Sequence, residues 1–255
     1  MNRLLLRLDQ MQAKEKNKKE HQELMNEKLH RELLKDEKKA KIWALNTPPK
    51  RSILEEVGNS ITHGVGALVG VFLLVLMLLK ANITYEYVAA SIYGGCLIVM
   101  MLSSCLYHAF SCDSKVKRIF RRFDYSSIYL LIGGTFTPLF LVDMGGTTGL
   151  VYAILQWSLI AVGITIVGVF GPGRFSWIHF TLYFIIGWGG GIIFIGDWFN
   201  NNLPLLLWIL AGGVGYTLGM IPFALKNLKA AHFIWHFFVI FGAVIQWIGI
   251  YLYVF

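Results

Sequence analysis

Seven blocks of apolar residues, each long enough to cross a bilayer, leave this chain little choice of fold. They run at about 60–80, 87–110, 125–142, 148–169, 176–196, 203–223 and 232–254, where a spanning helix needs about 20 predominantly apolar residues. The connections are too short to hold a soluble domain. The expectation is an all-α membrane protein, a bundle of seven transmembrane helices over residues 51–255. Composition agrees, with 56% hydrophobic and 15% charged residues against roughly 45–50% and about 25% in soluble domains.

Residues 1–50 are a different material. Ten basic residues between Lys14 and Lys41 alternate with Glu15, Glu20, Glu23, Glu27, Glu32 and Glu37. Good helix formers dominate, and no Pro or Gly occurs before Pro48-Pro49. Leu24, Leu29, Leu33 and Leu34 give an apolar stripe too thin for a coiled coil. This reads as a charged, helical cytoplasmic extension, stopped by the two prolines. Its lysines suit anionic lipid headgroups, as basic clusters before a span do; no nucleic-acid partner is expected. Met1-Asn2-Arg3 opens onto a short leucine cluster and then dense charge, without a cleavage site, so no signal peptide is expected.

Basic residues set the orientation. Arg51 and the arm precede the first span; Lys115, Lys117, Arg118, Arg121 and Arg122 lie between the second and third. Arg174 follows the fourth, and Lys226 and Lys229 follow the sixth. The alternate loops hold Asn82, Glu86, Asp143, Asp197 and Asn200-Asn201-Asn202, with Lys80 the basic exception. The amino terminus is therefore expected in the cytoplasm and the carboxyl terminus outside.

Ionisable groups within spans are expensive and mark function by default. Here topology collects them. Glu56, Asn59 and His63 share one face at the start of the first span, beside Glu55 and Thr62; Ser104 and His108 share a face at the end of the second. Asp124 opens the third span, and His232 and His236, four residues apart, open the seventh. All reach one depth, near the cytoplasmic surface. His108, His232 and His236 match the ligand count of a catalytic zinc site with one open position. Zinc lowers the pKa of its water to about 7 and polarises a carbonyl. Asp124 is suited to move the proton or to orient a ligand imidazole, and Ser104 to bond the water or an oxyanion. Glu56, Asn59 and His63 would brace the site from outside. A solvated helix boundary is the alternative for Glu55, Glu56 and His63, and an interfacial or hydrogen-bonded role is expected for His179.

The remaining marks are structural. Gly133-Gly134, Gly187 to Gly191 and Gly212-Gly213-x-Gly215 allow close helix approach or thin a cavity wall. Pro138, Pro204 and Pro222 are tolerable kinks or ends. Trp177, Trp198 and Tyr253 read as interfacial anchors, and Cys96, Cys105 and Cys112 as buried thiols.

Glu56-x-x-Asn59-x-x-Thr62-His63, Ser104-x-x-x-His108 followed by Asp124, and His232-x-x-x-His236 resemble the three motifs of the haemolysin III proteins. Those belong with the progestin and adipoQ receptors, which include the adiponectin receptors. The resemblance covers about residues 52–255. It implies a zinc ion near the cytoplasmic face, held by His108, His232 and His236, with Asp124 and Ser104 beside it. In the receptor branch and the related alkaline ceramidases it implies hydrolysis of a lipid amide; the bacterial branch is named for haemolysis, and the short loops look like that branch. Two functions follow: a zinc-dependent hydrolase of a membrane lipid amide or ester, or a membrane-active cytolysin or signalling protein with a structural zinc. The location expected is a bacterial cell membrane.

Overall fold

The computed structural model describes residues 2–112, 114–225 and 228–255, the side chains of residues 2–10, 12 and 13 excepted. Met1 and Lys226, used above for the leader and the charge balance, lie outside the described residues. The chain forms two compact units, Met1–Thr47 and Pro48–Phe255.

The first unit is a single helix, α1, at Asn2–Leu45. Lys, Glu, Gln and Leu all have high helix propensity, and no Gly or Pro interrupts them. Pairs at i,i+4 run along it, Arg31 to Glu27 at 3.3 Å and Lys41 to Glu37 at 2.7 Å. The Lys41 ammonium, hydrogen-bonded to Glu37, holds that carboxyl below its ordinary pKa. Both pairs are exposed, so they add little stability. The side chains of Asn46 and Thr47 bond the carbonyls of Ile42 and Trp43 and close the helix.

The second unit contains α2 (Ile53–Lys80), α3 (Thr84–Ala109), α4 (Lys115–Pro138), α5 (Gly146–Phe170), α6 (Ser176–Asn201), α7 (Leu203–Ala224) and α8 (Ala231–Tyr253). All seven are long and apolar enough to cross a membrane. Two begin well before their apolar blocks because a serine caps them. The Ser52 hydroxyl accepts from the Glu55 amide at 3.2 Å and that of Ser114 from the Lys117 amide at 3.0 Å. The basic stretch from Lys115 to Arg122, expected as a loop, is thus the first turns of α4.

Pro138 has no N–H to continue the ladder, and a π-helical turn at Leu139–Met144 follows it. Gly145 and Gly146, both at positive φ (63° and 58°), then turn the chain into α5. At the other end of the molecule from the histidines, α6 runs five residues past its apolar block. Asp197 and Asn201 bond each other within it at 2.7 Å. Trp198 is consequently not an interfacial anchor. It is 1% exposed, donates to Asp143 at 2.6 Å and stacks on Phe194. Trp177 and Tyr253 do remain exposed. Lys80 donates to the Tyr251 carbonyl at 2.6 Å and lies over its ring. The three cysteines are free and half-buried rather than buried.

The main core draws on all seven of these helices, around Tyr93, Met101, Phe140 and Leu205, with Ala153 from α5 and Phe194 and Trp198 from α6. A second cluster, Tyr129, Ile160, Val167 and Ile186, holds α5 and α6 to α4. His179 belongs to this cluster. It is fully buried, with Nδ1 3.0 Å from the Tyr129 hydroxyl.

The glycines divide into two kinds. A Cβ on Gly212 would meet the Gln246 side chain and, at 2.8 Å, the Gly242 carbonyl oxygen, so α7 and α8 touch backbone to backbone there. Gly187, Gly189 and Gly191 have nothing within 4 Å of that position. Packing explains the first case and not the second. Gly212→Ala should therefore lower the thermal midpoint in detergent, at an overpacking cost of about 1–3 kcal/mol, while Gly187→Ala leaves it unchanged. Melting curves of the two variants beside wild type check this.

Candidate metal centre

The polar residues predicted to converge do so at one end of the bundle, where α2, α4 and α8 begin and α3 finishes. Asn59, His63, Ser104, His108 and His236 are buried there, and Glu56, Thr62, Asp124 and His232 partly so. Among the described residues, His108, His232 and His236 form the group that could hold a metal ion, with ligand atoms all within 4.8 Å of one another. The Nε2 atoms of His108 and His232 face each other at 3.1 Å. Two imidazole nitrogens bound to one zinc at about 2.0–2.1 Å and a tetrahedral angle stand roughly 3.3 Å apart. The gap is bridged by one ring N–H donating to the facing nitrogen or, when both turn lone pairs inward, by a cation. The donor set and the spacing fit a metal.

Hydrogen bonds on the far side of the His108 and His236 rings decide which nitrogen is free to ligate; His232 Nδ1 is enclosed without one. His108 Nδ1 lies 2.6 Å from Glu56 Oε2, so the Nδ1 proton goes to the carboxylate and Nε2 keeps its lone pair. His236 Nδ1 lies 3.3 Å from the Thr62 hydroxyl. That hydroxyl donates to the carbonyls of Gly58 and Asn59 at 3.0 Å, leaving its oxygen to accept from His236. Asn59 comes within 3.4 Å of His108 Nδ1. His63 stacks on His236, ring centroids 3.7 Å apart, and both its nitrogens are enclosed without a partner. These α2 residues grip the two histidines as braces, not as a solvated boundary.

Sequence reasoning missed Lys117. It was counted as a loop charge, yet it is fully buried on the first turn of α4. Its ammonium lies 3.0 Å from Glu56 Oε1, donates to the Phe110 carbonyl at 2.9 Å and sits over the Tyr107 ring at 4.9 Å. A chain of contacts therefore runs from Lys117 through Glu56 and His108 to the ligand group. The signal was Ser114, whose capping role starts α4 early enough to turn Lys117 inward.

Ser104 and Asp124 stand beside each other, and both line a cavity of about 190 Å³ that begins at His63, His232 and His236. Neither belongs to the ligand group. Arg51 and Arg121 place positive charge near Asp124. Beyond the polar mouth the walls are apolar, with Ile132, Phe184 and Val239 among them, and Gly187, Gly191 and Gly213 contribute bare backbone. The cavity wall accounts for Gly187 and Gly191, which packing does not; Gly189 lies outside its lining.

Because ligand-orienting partners typically contribute 10–100-fold to metal affinity, Glu56→Gln should weaken zinc binding by about that factor. Lys117→Met should act in the same direction. Competition with a chelating dye on purified protein measures both, and unchanged affinity in both variants would remove the orienting role.

Comparison with known proteins gives the family. The family model described as haemolysin-III related matches residues 51–247. Hemolysin-3 of Bacillus cereus is 34% identical over 209 residues, covering 79% of this chain and 93% of the relative. The hemolysin-3 homolog of Bacillus subtilis (strain 168) is 32% identical over 195 residues, covering 75% and 91%. The human monocyte to macrophage differentiation factor is 26% identical over 217 residues, covering 81% and 87%. With seven apolar helices and a match across nearly all of the second unit, the chain is a multi-pass integral membrane protein and belongs to the haemolysin III family.

Proposed function

We propose that this protein is a zinc-dependent hydrolase of a membrane-lipid amide or ester, with its histidine end in the cytoplasm. The observation that carries the reading is the three-imidazole group, of which His232 and His236 line a largely apolar cavity together with Asp124 and Ser104. When bound, zinc would polarise the substrate carbonyl and acidify water to a pKa near 7. Asp124 takes the proton from the attacking water and hands it to the departing amine or alcohol. A carbon–oxygen bond forms, the carbon–nitrogen or ester carbon–oxygen bond breaks, and the products are a carboxylate and the protonated leaving group. Ser104, beside Asp124, donates to the developing oxyanion. The apolar walls exclude water and hold the acyl chain. Three protein ligands rather than four favour an open, reactive site over a purely structural one.

The basic residues supply the orientation, by the positive-inside rule. The same topology puts α1 at the cytoplasmic surface, where its lysines meet anionic lipid headgroups. A reporter active only outside the membrane should work when fused after Phe255 and fail when fused before α1.

The names of the two bacterial relatives favour a second reading, a membrane-active protein with a structural metal. One set of variants separates the two. Elemental analysis should give about one zinc per chain in wild type and in Asp124→Asn, and none in His232→Ala. Lipid-amide hydrolysis should then disappear in both variants. A folded wild type without zinc would sink the hydrolase. Zinc-loaded Asp124→Asn that still lyses membranes as wild type does would put the second reading ahead.

A further inference from the structure

The deep end of the cavity is not apolar. Thr135, Trp188, Tyr216, Thr217 and Gln246 line it beyond the stretch walled by Ile132, Phe184 and Val239. At about 1.5 Å per helical residue, Thr135 lies roughly 15 Å deeper than Asp124 on α4, and Gln246 about the same below His236 on α8. That is mid-bilayer, where a polar group without a partner is costly.

Most of these groups are answered locally. Thr135 donates to the Leu131 carbonyl at 2.9 Å and Thr217 to that of Gly213 at 2.9 Å. Trp188 donates to the Thr217 hydroxyl at 3.2 Å, and the Gln246 amide to the Ile209 carbonyl at 3.2 Å. Tyr216 is the exception. Its ring lies against Gly242, which only a glycine permits, and its hydroxyl is enclosed with no hydrogen-bond partner. The Tyr93 hydroxyl, fully buried nearby, has Thr135 as its side-chain partner. One donor, Tyr216, thus waits at a cavity whose nearby threonine hydroxyls have spent their own protons on their helices. The missing partner is an acceptor, and its place is on whatever fills the cavity.

We infer that the deep end of the cavity is a recognition site for an oxygen carried in mid-chain by a lipid, a hydroxyl or keto group that accepts from Tyr216 while the carbonyl end lies at the histidines. This names a substrate class, oxygenated acyl chains, and it rests on the lipid reading above.

The test is binding, not turnover. Trp188 and Trp235 line the cavity, so their fluorescence reports its occupancy in zinc-loaded protein in detergent. The probes are octadecanoic acid, its 12-hydroxy derivative and its 2-hydroxy derivative. The 12-hydroxy chain should bind about 5–10-fold tighter than the plain chain, the ratio set by one neutral hydrogen bond of about 1 kcal/mol. The 2-hydroxy chain, whose oxygen stays at the mouth, should lack that advantage. Tyr216→Phe, which keeps the ring, should bring the 12-hydroxy and plain affinities together; its zinc content shows that it has folded. Equal affinities in wild type, or a preference that survives in Tyr216→Phe, would overturn the inference and leave the lipid reading standing. Binding of none of the three chains would overturn both.

Discussion

A carboxylate cannot lie among the helices of a bilayer-spanning bundle without partners, and Glu56 has one on each oxygen. Lys117 takes one and His108 the other. Because the three residues come from α4, α2 and α3, the pairing fixes how these helices meet at the histidine end. It also fixes the His108 ring, and with it the direction in which Nε2 points. Truncating one partner of a buried pair generally costs about 3–5 kcal/mol, since the other charge is left uncompensated. The structural role and the ligand-orienting role are therefore one interaction.

The rest of the site follows from that clamp. With α2 and α3 held, Thr62 and His63 present a flat, partly polar face to α8, and His236 lies against it through one hydrogen bond and one ring stack. His232, one turn earlier, is carried into reach of His108 by helical geometry alone. The cavity opens where this polar floor meets the apolar walls.

Much of this was legible in the sequence because membrane and metal both impose strict patterns. Seven apolar blocks cannot avoid being helices, and His232 and His236 cannot avoid sharing a face. What hydropathy could not show was where helices begin. Ser52 and Ser114 are capping residues, and the charged turns after them are helical although they are not apolar. Reading Lys117 as a loop charge followed from that error. Trp198 was misread for a related reason: a Trp near a span end is an anchor only if the helix ends there, and α6 does not. The cavity was invisible too. Glycines that thin a wall and glycines that admit a neighbour look alike until the opposite face is known.

The metal group joins the second and seventh spans, so its ligands enter the membrane far apart in time during synthesis. His108 arrives with α3 and His232 and His236 with α8, after four intervening spans have been made. Until then His108 has its brace in Glu56 and no fellow ligand. A metal that needs all three imidazoles would consequently be acquired late in the life of the chain, a seal set on a finished bundle rather than a nucleus around which it assembles. A chain that stalls before α8 is complete lacks two of the three imidazoles, so a metal held by all three would mark the molecules that completed their assembly.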